Sequence, residues 1–230
     1  MKIFADGAKV SEILELNKED RISGFTTNPT LMKGAGINDY RSFAYTLLGW
    51  IDKTKSVSFE ILADEYEEIK KQAKEIASWG DNVYVKIPVM NTKGIYNYNL
   101  MNELSVMGIK INATAVMTFT QIDHCADALS TGTPSIISVF AGRIADTGRE
   151  PSIFIRYAVH KKQENEEILW ASVREIYNYK QAASACADII TIPPNLLNTY
   201  KNRWAKNLDE LSLETVTMFY DDAKESGLKL

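Results

Sequence analysis

Eight short apolar runs alternate with longer amphipathic stretches along the whole chain, and this rhythm restricts the fold more than any other feature. The runs cover residues 3–5, 24–26, 57–61, 83–87, 110–113, 136–140, 168–172 and 189–192. Helical patterns fill 10–16, 40–51, 63–78, 94–107, 119–129, 152–162 and 176–186; Glu67, Lys70 and Lys71 show the charge spacing of an exposed helix face. Strands alternating with helices imply βα units and parallel pairing. Polar residues close the strand runs: Asp6, Asn28, Glu60, Lys86, Asn112, Ser138 and Ser172 follow at intervals of 22, 32, 26, 26, 26 and 34 residues. A βαβ repeat takes roughly 30 residues, so one such group recurs per unit. In an eight-stranded barrel these strand ends converge on one rim, where active sites of that fold are built. The alternation predicts an α/β protein with a single (β/α)8 TIM barrel and an extra C-terminal helix. An open doubly wound sheet is the runner-up, but no G-x-G-x-x-G follows the first strand, and Gly34-Ala35-Gly36 lacks the third glycine.

No proline- or glycine-rich linker divides the chain. The reading is a barrel domain over 1–194 and a helical extension over 195–230. Within the extension, patterns at 196–204 and 211–223 carry Leu211, Leu213, Val216, Phe219 and Tyr220 as apolar members. A barrel closes with its eighth helix, so this tail must bury its apolar surface elsewhere.

The net charge of −4 and the pI near 5.4 offer no basic field for a nucleic acid, though one or two arginines suffice for a small anion. Cys125 and Cys186 form no CxxC pair, which fits a reducing compartment. No signal-like segment opens the chain and no run approaches the ~20 apolar residues of a membrane span. The expectation is a soluble cytoplasmic protein without membrane or nucleic-acid partners. His124 and His160 stand apart on helical patterns without a ligand set, so neither is expected to bind metal or to act in catalysis.

Lys86 is the residue with the sharpest chemical implication. It closes the run Asn82-Val83-Tyr84-Val85-Lys86-Ile87, which Pro88 follows. A lysine at the end of a buried strand faces a partly dry pocket. Desolvation disfavours the ammonium there, leaving a neutral amine suited to Schiff-base chemistry with a carbonyl. The bland alternative is a lysine snorkelling to water.

These residues occur in segments that resemble the transaldolase family, in particular its small single-domain members and the fructose-6-phosphate aldolases. The matching pieces are Phe4-Ala5-Asp6, Gly24-Phe25-Thr26-Thr27-Asn28-Pro29, Val57-Ser58-Phe59-Glu60, Val85-Lys86-Ile87-Pro88, Asn112-Ala113-Thr114, Ser138-Val139-Phe140-Ala141-Gly142-Arg143, Ala171-Ser172-Val173-Arg174 and Thr191-Ile192-Pro193-Pro194. They follow the family's order from Phe4 to Pro194. Gly7 after Asp6, Val139 and Ala141 depart from the usual threonine, proline and valine.

The resemblance implies a transaldolase that needs no metal or organic cofactor. It would move a dihydroxyacetone unit from a ketose phosphate, fructose 6-phosphate or sedoheptulose 7-phosphate, to an aldose phosphate. Lys86 is similar to the Schiff-base amine and Asp6 to the general acid/base. Glu60 and Thr114 match a pair that holds a catalytic water. Asn28, Asn112 and Ser138, with neighbouring Thr26, match contacts to the sugar, and Arg143, Ser172 and Arg174 match a phosphate clamp. Phe140 is core packing by default and walls the pocket as well.

The alternatives stay in view. Asp6 and Asn28 suit helix caps, Glu60 suits a solvated loop, and Arg143 or Arg174 suits a structural ion pair with Asp146 or Glu175. Aldolase members, which release free dihydroxyacetone, tend to carry glutamine at the position of Glu60 and tyrosine at that of Phe140. Both residues here favour transfer. The polar loop 144–151 adds Arg149 near the anion side, and some relatives take sulfonated sugars. A barrel that binds sugar phosphates without turning them over is the reading from another class. Small relatives pack a C-terminal helix on a neighbouring subunit, so a homo-oligomer, a pentamer or decamer, is expected; a tail folded on its own barrel is the alternative.

Overall fold

A computed structural model describes residues 1–227. Eight parallel strands close into a barrel in chain order: β1 (Lys2–Asp6), β2 (Ile22–Thr26), β3 (Ser56–Glu60), β4 (Val83–Pro88), β5 (Ile111–Val116), β6 (Ser135–Val139), β7 (Glu166–Trp170) and β8 (Ile189–Ile192). The ring is sealed where β1 pairs with β8, Lys2 opposite Ile189 and Ala5 opposite Ile192. The helices are α1 (Val10–Asn17), α2 (Pro29–Gly34), α3 (Tyr40–Trp50), α4 (Tyr66–Ala77), α5 (Tyr98–Val106), α6 (Phe119–Leu129), α7 (Ala141–Ala145), α8 (Pro151–Lys161), α9 (Asn178–Ser184), α10 (Pro194–Arg203) and α11 (Leu208–Ser226). The predicted (β/α)8 barrel with an added C-terminal helix is the observed architecture, and the doubly wound alternative falls with the closure.

Period sets which side chains go where. In α4, Ile69, Ala73 and Ile76 recur on one face and are buried against the sheet, while the charges point out. Strand residues alternate between two apolar layers. The larger layer lies between sheet and helices, with Ile3, Phe25, Phe59, Val85, Ile111, Ile137 and Ile190 among its members. The smaller one fills the barrel: Phe4, Tyr84, Ile136, Leu169, Ala171 and Ile189, with Phe140 packed against it. Gly24 makes room for this interior cluster, because a Cβ there would lie 2.7 Å from the Phe4 ring and from the Ser56 carbonyl oxygen.

Two positions on strands repeat every second residue, so stepping two residues along from the interior cluster reaches the rim. Phe4 gives way to Asp6, Tyr84 to Lys86, Ile136 to Ser138 and Ile189 to Thr191. An apolar floor and a polar rim are thus written on the same strands.

Three differences from the sequence expectation bear on the site. α2 lies where no helix was predicted: Asn28 caps it and Pro29 starts it, but six residues are too few to show a helical period. The expected loop 144–151 is shorter, because α7 runs to Ala145 and α8 begins at Pro151. β7 starts and ends two residues earlier than predicted, taking in the buried Glu166 and leaving Ser172 outside. Ser172 adopts φ 62°, a left-handed conformation that ends the extended strand. No helix among the described residues is long and apolar enough to cross a membrane.

Candidate active site

At the C-terminal ends of the strands a cavity of about 240 Å³ opens, lined by residues from β1, β2, β4, β6, β7, β8 and the segments that follow them. Asp6, Thr26, Asn28, Lys86, Ser138, Phe140, Arg143, Ser172 and Arg174, nine of the predicted site residues, are in its wall. Glu60, Asn112 and Thr114 lie behind that wall.

Lys86 is 6 % exposed. Its Nζ is 3.0 Å from Glu60 Oε2 and donates to the Thr27 carbonyl at 3.2 Å. The register explains the pair, since Glu60 and Lys86 are opposite one another on β3 and β4. Desolvation alone predicted a neutral amine; the structure instead gives Lys86 an ion-pair partner.

Glu60 is itself held. β2 pairs with β3 only as far as Thr26 opposite Ser58, so the Glu60 carbonyl extends beyond that ladder. The Tyr40 hydroxyl, from the first residue of α3, donates to it at 2.8 Å. Burial, with Glu60 nearby, pushes the Tyr40 phenol well above its usual range.

Asp6 accepts a hydrogen bond from Thr26 Oγ1 at 2.8 Å, and Thr26 Oγ1 is 2.6 Å from Thr191 Oγ1. Burial raises the Asp6 carboxyl above the ordinary aspartate value; Lys86 and the Thr26 hydroxyl oppose the rise, and Glu60 adds to it. Asp6 caps no helix. Asn28 does, its Oδ1 accepting from Leu31 N at 3.0 Å, which leaves the Nδ2 donor to face the cavity.

Asn112 is fully buried. Its Nδ2 donates to Ser58 Oγ at 3.0 Å and its Oδ1 accepts from Ser138 Oγ at 2.7 Å. Each end of the amide makes one hydrogen bond; Asn112 is not among the residues that line the cavity, and its partner Ser138 is. Thr114 Oγ1 is buried with no hydrogen-bond partner among the described residues. It precedes Ala115, whose φ of 60° marks the irregular register between β5 and β6.

The three anion-binding candidates differ. Arg143 has no ion-pair partner among the described residues, and its guanidinium lies 6.0 Å from the centre of the Phe140 ring. Arg174 is paired with Asp146, the structural alternative that the sequence left open. Ser172 is locked to the start of α7: a Cβ on Gly142 would lie 1.6 Å from the Ser172 carbonyl oxygen. Arg149 bonds Thr147 Oγ1 at 2.8 Å and does not line the cavity. Both cysteines are free, Cys125 buried and Cys186 exposed.

Thr191, Ser58, Tyr40 and the Thr27 carbonyl were not singled out from the sequence. Thr191 could have been, because it lies two residues past the interior Ile189 on the same face of β8, at the cavity end of the strand. Tyr40 carried no such signal, since a long side chain from the next helix reaches the strand end only in three dimensions.

A family model described as transaldolase/fructose-6-phosphate aldolase matches residues 3–230. A probable transaldolase of Dehalococcoides mccartyi is 34 % identical over 200 residues, 86 % of this chain and 88 % of that protein. Probable transaldolases of Streptococcus agalactiae and Brucella anthropi are 32 % identical over 228 residues and 34 % over 236, covering 98 % and 100 % of this chain and 100 % of each relative. Among solved structures, a cube-shaped, highly porous protein cage designed by fusing symmetric oligomeric domains matches with a TM-score of 0.56 at 10 % identity, over 100 % of this chain and 87 % of that one. That likeness speaks for the fold alone. The chain belongs to the transaldolase/fructose-6-phosphate aldolase family.

Proposed function

We propose that this protein is a transaldolase that carries a dihydroxyacetone unit from a ketose phosphate to an aldose phosphate through a Schiff base on Lys86. The observation that supports it most is a buried amine, ion-paired to Glu60, in one cavity with Asp6 and an Arg143 that has no ion-pair partner among the described residues. Glu60 takes a proton from the ammonium, and the freed lone pair attacks the C2 carbonyl; loss of water gives a protonated imine. Asp6, as a carboxylate, takes the C4 hydroxyl proton. The C3–C4 bond breaks, its electrons pass to the imine, and an aldose phosphate leaves. The remaining enamine attacks the aldehyde of an acceptor, Asp6 returns its proton to the new alkoxide, and hydrolysis frees Lys86. A carboxyl whose proton affinity is raised by burial is suited to both halves of that exchange. Arg143 presents a planar fork to the phosphate.

Borohydride added with fructose 6-phosphate should leave a mass adduct on Lys86. Without one, a barrel that only binds sugar phosphates is the better reading.

The family's second activity, release of free dihydroxyacetone, requires a proton donor at the enamine carbon before an acceptor arrives. Phe140 has none to give. Glyceraldehyde 3-phosphate should therefore accumulate from fructose 6-phosphate only when erythrose 4-phosphate is added. Phe140→Tyr should raise the acceptor-independent rate at least tenfold. Many turnovers by the unaltered protein without acceptor would reject transfer in favour of the aldolase.

Of the extension expected over 195–230, α10 packs on its own barrel through the buried Leu197, and α11 we read as the part that covers a second subunit. No residue of α11 is buried, and Leu208, Leu213, Val216, Phe219 and Tyr220 are each more than 60 % or close to 60 % exposed. Light scattering at micromolar concentration should give a homo-oligomer, a pentamer or decamer; a monomer would contradict this.

A further inference from the structure

Arg174 has two neighbourhoods. It lines the substrate cavity, and it also lines an adjoining recess of about 530 Å³ between α7 and α9 that Asp146 shares. Asp146 is not part of the cavity wall. The guanidinium is bound on the recess side, its Nη2 donating to Asp146 Oδ2, with the two side chains 50 % and 52 % exposed. An arginine so held meets a ligand anion in competition with the carboxylate it already binds.

Rigid local geometry keeps the two residues in register. Asp146 is the C-cap of α7, and α7 starts against the loop after β7, where Gly142 meets the Ser172 carbonyl with no space for a side chain. Arg174 lies two residues beyond Ser172. The aspartate and the arginine are therefore presented by elements fixed to one another. Their backbones are thus held within reach of one another.

We infer that Asp146 is a specificity-determining residue that competes with the substrate's anionic group for Arg174. This rests on the proposed sugar-phosphate reading of the cavity. When a phosphate enters beside Arg143, Arg174 has two possible anionic partners, and the gain from the new contact is reduced by loss of the old one. Asp146 also repels the incoming dianion. Binding is weakened for phosphorylated ligands only, because a neutral sugar makes no demand on Arg174. The carboxylate thereby limits how tightly the anionic end is held and favours its departure.

Asp146→Asn keeps the shape and removes the charge at an exposed position, so folding is not at stake. Exposed ion pairs contribute little each, and the expected gain is modest. Inorganic phosphate, titrated by calorimetry, should bind the variant roughly three- to tenfold more tightly than the unaltered protein. That gain should vanish in the double variant Asp146→Asn, Arg174→Gln. In turnover, KM for fructose 6-phosphate should fall by a similar factor with kcat held or lowered, while KM for unphosphorylated fructose stays unchanged. An unaltered phosphate affinity, a gain that persists without Arg174, or an equal change for both sugars would overturn the inference. The phosphate titration needs no chemistry at Lys86: missing borohydride adducts would sink the proposed activity while leaving this competition separately decided.

Discussion

Lys86→Met should abolish the borohydride-trapped adduct and lower turnover with fructose 6-phosphate and erythrose 4-phosphate at least a thousandfold. No other amine lines the cavity, so the covalent route has no substitute nucleophile. The same change should also be felt in stability. Glu60 would lose its partner in a site where Lys86 and Glu60 side chains are only 7 % and 15 % exposed. Breaking one half of a buried pair strands the other charge, at a cost on the order of 3 kcal/mol at neutral pH. Glu60→Gln added to Lys86→Met should return most of that loss without restoring activity. Chemical denaturation of the single and double variants measures both. A Lys86→Met protein that still traps ketose, or a double variant no more stable than the single one, would refute the proposed roles of this pair.

The second large effect concerns a group far from the chemistry. Glu166 opens β7 at the opposite end of the barrel from the cavity, and it is 1 % exposed. One carboxyl oxygen accepts from Gln163 N at 2.9 Å; the other has no partner among the described residues. Burial pushes its pKa up to about 7, Asp127 adds to the rise, and the Gln163 amide and Lys162 oppose it. The sign follows from linkage. The folded protein keeps a proton that the unfolded chain gives up above its ordinary carboxylate value of 4.5. Stability therefore falls as pH climbs from that value through about 7, then levels off. Glu166→Gln fixes the neutral form. Against that variant, the unaltered protein should lose roughly 3 kcal/mol between pH 4.5 and pH 8, with kcat and KM nearly equal in the two. Parallel stability curves for the two proteins across that range would show that Glu166 is ionised in the fold at little cost.

The barrel was legible because its strands are continuous apolar runs and its longer helices show a clear 3.6-residue face. What escaped was short or misdirected by residue type. α2 and α7 are six and five residues long, less than two turns, so no period could form. Asn28-Pro29 nonetheless spelled a cap and a first helical turn. β7 was displaced because a glutamate reads as a loop residue, while Glu166 is in fact buried at the strand's start. In the site, Asp6, Lys86 and Ser138 could be read from their places at strand ends. The ion pair on Lys86 could not, since register decides which carboxylate faces which amine. Asn112 was read as a sugar contact, and the structure adds its hydrogen bonds to Ser58 and Ser138, which only side-chain directions reveal.

The floor beneath Lys86 has a consequence for traffic. Phe4, Tyr84, Ile136, Leu169 and Ile189 fill the lumen from below, so the chamber is a cul-de-sac entered from the strand ends. Under the proposed transfer, visitors must queue: the outgoing fragment has to clear the entrance before its replacement can come in, and during that interval the half that stays behind is guarded only by how little water can follow.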